Sequence, residues 1–175
     1  MDLGEELAAA MATTMAKVAL SKSSRADALK RRPGFLIRRM HQIHLALFTE
    51  ECAAFDVTPV QYSIMTVTFE KPKMDQAGLA YEVGVDYATL ASVLVRLELK
   101  GFIRRDVFAA DKRLKLISLT PQGITTLRKM RAAAGRAHDR TIAALPAADR
   151  RRFMALLTRL VDAANEYGRA PLRLG

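Results

Sequence analysis

Apolar residues recur at helical spacing along most of the chain, and the breaks between runs carry the residues that start and stop helices. Residues 2–20 read as an Ala- and Met-rich helix with few charges, followed by a polar, basic stretch from Ser21 to Arg32 that reads as a linker. Pro33 suits a first helical position, and a long helix is expected from there to about Ala54. Leu36, Met40, Ile43 and Leu47 form one stripe on it, and Ile37, His41, His44 and Phe48 form the next. Together they make a face too wide to leave in water. Thr58-Pro59 opens another helix, carrying Tyr62, Met65, Thr66 and Phe69 and ended by Lys71-Pro72. Two short helices follow, at about 75–82 and 86–100, with Asp86 as N-cap and Gly101 as terminator of the second.

Beyond Gly101 the period changes. Phe102–Val107 and Leu114–Leu119 are rich in β-branched and large apolar residues, which predicts a hairpin around the loop Phe108-Ala109-Ala110-Asp111-Lys112-Arg113. Thr120-Pro121 starts a further long helix. After a break at Pro146, the last helix places Phe153, Leu157, Leu160, Val161 and Ala164 at helical spacing. The fold expected is mainly α with a small β-hairpin wing, a winged helix-turn-helix flanked by long N- and C-terminal helices. Three regions follow: an arm and linker over 1–32, a helical dimerisation region over 33–57 and 121–168, and a DNA-binding domain over 58–120. Long amphipathic ends with more apolar face than they can bury alone commonly dimerise.

Charge turns this architecture toward a partner. The 28 Lys and Arg against 18 Asp and Glu leave +10 on 175 residues, which calls for a polyanion, either nucleic acid or an anionic membrane surface. No apolar stretch reaches transmembrane length, and the acidic opening Asp2-Leu3-Gly4-Glu5-Glu6 is unlike a signal peptide. A single cysteine, Cys52, excludes an intrachain disulfide and fits a cytoplasmic protein.

The second helix of a helix-turn-helix presents its first turn to base edges in the major groove. Here that turn holds Tyr87, Ala88 and Thr89, with Ser92 one turn on. Arg96, on the outer side, is better placed for a phosphate, while Leu90, Val93, Leu94 and Leu97 face inward. Lys112 and Arg113 put two cations on the wing, and Asp111 can pair with Arg113 and orient it. Seven cations and three anions lie between Arg96 and Lys115.

Val85-Asp86-Tyr87-Ala88-Thr89, the run Val95–Ile103, Asp111-Lys112-Arg113 and Leu119-Thr120-Pro121-Gln122-Gly123 together resemble the multiple-antibiotic-resistance regulator (MarR) family over about residues 33–165. The resemblance implies an obligate homodimer that binds a pseudo-palindromic double-stranded DNA site, with Arg113 entering the minor groove. Ala91 and Ser92 stand where polar or basic residues are common in the family, which leaves the bases read open. The resemblance further implies a repressor released by a small molecule. Arg31-Arg32-Pro33-Gly34-Phe35-Leu36-Ile37-Arg38-Arg39 is similar to a stretch in members that govern aromatic and cinnamic acid breakdown, some of which sense coenzyme A thioesters. Arg38, Arg39, His41, His44 and Phe48, facing Tyr62, Met65 and Phe69, are therefore the expected effector-binding residues, for an aromatic acid or its thioester. Core packing is the alternative for the apolar ones, and DNA phosphate for the arginines.

Other chemistry finds little support. No HExxH, Gly-rich phosphate loop or GxSxG elbow occurs, so neither an enzyme nor a cofactor is expected. His41 and His44 lack the ligands to complete a metal site, and Glu50 and Glu51 disfavour a reactive Cys52 thiolate. The remaining alternatives are a sequence-tolerant architectural DNA protein and a winged helix used for protein docking.

Overall fold

The structure, a computed structural model, describes residues 27–108, 111–168 and 170. By contact it falls into two units, one ending at Ile43 and one beginning at His44. The expected helix at 2–20 lies outside the described residues.

In the first unit residues 27–30 are helical, where a linker was expected. Asp27 and Lys30 pair across that turn at 3.1 Å, the i,i+3 contact a helix makes available. Helix α1, Pro33–Glu51, follows and runs on into the second unit. Its broad apolar face is only partly covered: Phe48 is its one buried residue, Met40, His44 and Leu47 are half-buried, and Leu36, Ile37 and Ile43 are exposed.

The second unit is the winged helix with its flanking helices. After a short 3-10 turn at Ala53–Phe55, helix α2 spans Pro59–Glu70. Thr58 starts it with a capping box. Gln61 N–H donates to Thr58 Oγ1 at 3.4 Å, and Thr58 N–H donates back to Gln61 Oε1 at 3.0 Å. Helices α3 (Gln76–Val83) and α4 (Tyr87–Leu99) follow, and the chain turns by 104° between them. Asp75 and Asp86 cap them by accepting the N–H of Gly78 at 2.7 Å and of Thr89 at 2.8 Å. Gly101, at φ 71°, takes the left-handed conformation that ends α4.

Strands β1 (Ile103–Phe108) and β2 (Asp111–Leu119) pair antiparallel, with Ile103 opposite Leu119 and Val107 opposite Lys115. The next pair is Phe108 with Asp111, so Lys112, Arg113 and Leu114 have no partner across the ladder. This corrects the expected six-residue loop. Phe108 extends β1 and Asp111 begins β2, so both strands reach further than expected. Ala109 and Ala110, and the side chains of Asp111, Lys112 and Arg113, lie outside the described residues. On its other edge β2 bridges the segment before α3: Ile117 N–H donates to Met74 O at 2.8 Å.

Helix α5 (Pro121–Thr141) starts at the Thr120 cap, and α6 (Ala147–Ala163) follows the break at Pro146. Arg150 closes that break by donating to the carbonyls of Leu145 (2.7 Å) and Ala143 (2.9 Å). The core lies where α2, α4, α5 and β2 converge, with Ile64, Met65, Leu90, Leu94, Leu97, Ile117 and Met130 all at most 1% exposed. Helix α6 contributes nothing to it. None of its residues is buried, and Met154, Leu156, Leu157, Leu160 and Val161 are open to water. No single helix among the described residues is long and apolar enough to cross a membrane.

Candidate nucleic-acid interface

Helix α4 is two-faced because of its residue order. Leu90, Val93, Leu94 and Leu97 recur every three or four residues and are fully buried. The opposite face therefore points outward, and Tyr87, Ala88, Thr89, Ser92 and Arg96 all lie on it, exposed. Tyr87 is 60% exposed. Within this face the polar groups are ordered by one another. Thr89 Oγ1 donates to Asp86 Oδ2 at 2.7 Å, Ser92 Oγ donates to the Thr89 carbonyl at 2.9 Å, and Arg96 Nε reaches the Ser92 carbonyl at 3.3 Å.

Part of the positive charge over the wing is held in ion pairs. Arg105 binds Glu98 through Nη2 and, at 2.9 Å, through Nε. These hydrogen bonds hold the Glu98 carboxyl below its ordinary range and raise the Arg105 guanidinium. Arg104 pairs with Asp106 at 3.0 Å, and Lys100 with Asp56 at 2.8 Å. Among the described side chains, Lys100, Arg104 and Arg105 are thus paired with carboxylates, of which Asp56 alone comes from outside the stretch Arg96 to Lys115. The pairs do structural work, tying α4 to β1 and to the turn after α1. Sequence reading named none of the three, and for two of them the partners become neighbours only in the fold.

A second constellation lies between α1, α2 and α5. The His44 ring stacks on His138 with centroids 5.1 Å apart, and its Nδ1 lies 2.9 Å from Thr141 Oγ1. Phe48 sits 5.8 Å from Tyr62 and 6.5 Å from His138. His44, Phe48 and Tyr62 are therefore brought together, and His138 and Thr141 join them. His138 was not among the expected effector residues. Its signal lay in the stripe Leu127, Met130, Ala134, Ala137, whose burial marks the inward face of α5 beside it.

Met65 is a correction. It is 0% exposed and packs in the core, because the buried side of α2 is the stripe Gln61, Ile64, Met65, Thr68. It cannot line an open site. Phe69 instead opens on a cleft of about 240 Å³ with Tyr62, Thr66, Glu70, Leu127, Arg128 and Arg131. Arg128 lies over the Phe69 ring at 5.9 Å, and Thr66 Oγ1 is buried there with no hydrogen-bond partner among the described residues. Arg38, Arg39 and His41 belong to the unit ending at Ile43 and are exposed. Arg38 stacks over Phe35 at 5.1 Å, and Arg39 donates to Gln42 at 2.9 Å. Among the described residues, no group of three or more His, Cys, Asp or Glu could hold a metal ion.

This geometry has known counterparts. The model of the MarR family matches residues 57–115, which span the helix-turn-helix and most of the wing. The transcriptional regulator HosA of Escherichia coli is 30% identical over 135 residues, covering 77% of this chain and 98% of HosA. The chain belongs to the MarR family. Its relatives are transcriptional regulators, and this member is a regulator rather than an enzyme. Solved family structures extend the likeness. The PcaV transcriptional regulator from Streptomyces coelicolor, in complex with its natural ligand, superimposes with a TM-score of 0.71 at 29% identity, covering 78% of this chain and 96% of PcaV. A mutant MarR from E. coli, complexed with operator DNA, gives 0.68 at 25% identity, covering 73% and 92%.

Proposed function

We propose that this MarR-family protein is a homodimeric, cytoplasmic repressor that binds a pseudo-palindromic operator and leaves it when a small aromatic acid or its coenzyme A thioester binds. The observation that carries the DNA half is the outward face of α4, where Tyr87, Ala88 and Thr89 of the first turn, with Ser92 and Arg96 beyond, lie exposed over the buried stripe Leu90, Val93, Leu94 and Leu97. In this reading residues 58–120 are the DNA-binding domain, and Arg113 of the wing enters the minor groove, oriented by Asp111. Residues 33–57 and 121–168 form the dimerisation region, with 1–32 an arm that packs on the partner subunit.

Dimerisation is supported by the apolar surface that one copy leaves uncovered. Leu36 and Ile37 of α1 are 53% and 62% exposed, and Leu160 of α6 is 67% exposed. An isologous interface between these helices would remove that surface from water. The effector half draws support from the aromatic and histidine cluster around His44 and the adjoining arginine-lined cleft, and from PcaV having been solved with its natural ligand. Such a ligand acts only by binding the DNA-incompetent arrangement more tightly than the competent one.

The test is a fluorescence anisotropy titration of duplex from upstream of the protein's own gene, at near-physiological salt, with and without aromatic acids and their thioesters. Tight binding to one segment, weakened by Arg113→Ala and released by one compound, is the expected result. Binding indifferent to sequence and to every compound would leave an architectural DNA protein instead.

A further inference from the structure

Of the hydroxyl side chains on the outer face of the recognition helix, Thr89 and Ser92 have already committed their protons. Thr89 Oγ1 lies 2.7 Å from Asp86 Oδ2. An ionised carboxylate only accepts, so the hydroxyl is the donor. The same carboxylate takes the Thr89 backbone N–H on its other oxygen, Oδ1, at 2.8 Å. This two-point grip sits on the helix cap, and turning either group away breaks a charge-assisted bond. Ser92 Oγ lies 2.9 Å from the Thr89 carbonyl, another pure acceptor, and so donates as well. Its oxygen accepts in turn from Arg96 Nη2 at 3.5 Å. What Thr89 offers outward is a lone pair.

Base edges in the major groove differ in what such a lone pair can meet. Adenine N6 and cytosine N4 carry amino donors, whereas guanine shows only the acceptors N7 and O6. Ala88, exposed beside Thr89, adds a methyl suited to the 5-methyl of thymine, which an A·T pair has and a G·C pair lacks. We infer that Asp86 fixes the Thr89 hydroxyl as an acceptor, so that the recognition helix selects adenine in an A·T pair, and rejects guanine, at the base pair facing Thr89. Asp86 is a positioning residue here, acting on DNA through Thr89. The inference rests on the proposed docking of α4 in the major groove.

The experiment uses the full-length protein. Operator is selected from random duplexes, and the adenine facing Thr89 is then replaced by purine, which lacks the N6 amino group, or by 7-deazaadenine, which lacks the N7 acceptor. Loss of the amino group lowers affinity about 10-fold, and loss of N7 changes it by less than about twofold. Thr89→Val, which keeps the shape, abolishes the difference between adenine and purine. Asp86→Asn is the decisive variant. The backbone N–H can only donate, so the asparagine oxygen must face it and the amide N–H must face Thr89 Oγ1, turning the hydroxyl proton outward. Asparagine caps helices as well as aspartate does, and an unchanged circular dichroism melt verifies the fold. The preference at that base pair then moves from adenine toward guanine. The inference is overturned if 7-deazaadenine costs more than purine, or if folded Asp86→Asn keeps the wild-type base preference. Selection that returns no sequence at all overturns the DNA-reading proposal itself, and the inference with it.

Discussion

Gly123, the third residue of α5, sits against the base of the wing, and Gly123→Ala tests how tightly the two are joined. A Cβ at this position would lie 2.0 Å from the Phe102 carbonyl oxygen, 2.9 Å from its carbon and 3.1 Å from its Cα. All three atoms are backbone, so no rotamer relieves the clash. A carbon normally approaches a carbonyl oxygen no closer than about 3.3 Å, so the start of α5 must retreat by about 1.3 Å. That movement pulls on one cap. Thr120 N–H donates to Phe102 O at 3.0 Å, Thr120 Oγ1 donates to Gly101 O at 2.6 Å, and Gly123 N–H donates to Thr120 Oγ1 at 3.0 Å. Losing the cap costs about 1 kcal/mol, losing the Thr120 backbone bond about 1 kcal/mol, and the forced backbone shift about 1–3 kcal/mol. The expected destabilisation is roughly 3–5 kcal/mol. Gly135, also in α5, is the control. Its Cβ would meet nothing within 4 Å, so Gly135→Ala should stabilise by about 0.5–1 kcal/mol through helix propensity. Urea unfolding at one fixed protomer concentration measures both, since a dimer's stability depends on concentration. The Gly123→Ala midpoint should fall by at least about 1 M. A midpoint within experimental error of wild type would refute the rigid contact between α5 and the wing.

Further expectations come from the ion pairs, the caps and the cysteine. Hydrogen bonds from Arg140 and then Arg136 hold the Glu51 carboxyl below its ordinary 4.5, and Arg105 does the same for Glu98. A lowered native pKa gives stability that is complete above the unfolded value and vanishes as pH falls through the native one. Melting temperature should therefore drop below about pH 4.5, and Glu51→Gln should lower stability at neutral pH while flattening that acid limb. Thr58→Ala removes one side of the α2 capping box and should cost about 1 kcal/mol by urea titration. Cys52 is 2% exposed, and burial followed by the Glu51 charge pushes its thiol above the ordinary 9.0. A thiol reagent such as DTNB should react with it only after denaturant is added, and peroxide should leave operator binding unchanged.

The elements legible in the sequence are those closed by bonds between near neighbours. Thr58-Pro59, Asp86, Gly101 and Thr120-Pro121 mark helix ends because each cap joins groups within a few residues, and the caps stand where they were expected. The stripe Leu90, Val93, Leu94, Leu97 likewise announced the inward face of α4, and hence which residues look out. Helix α2 was less readable. Tyr62, Met65, Thr66 and Phe69 divide between two apolar stripes of similar composition, and only packing against the rest of the core placed Met65 inside and left Phe69 at the surface. The same holds for charge: the count between Arg96 and Lys115 is local, but Lys100 meets Asp56 only because the end of α4 folds back on the turn after α1. His44 and Thr141 stand 97 positions apart, and no short-range pattern links two such residues. Local hydrogen-bond closure and helical periodicity write themselves into neighbouring residues. Pairings across the core exist only once burial of the apolar stripes has brought distant helices within contact.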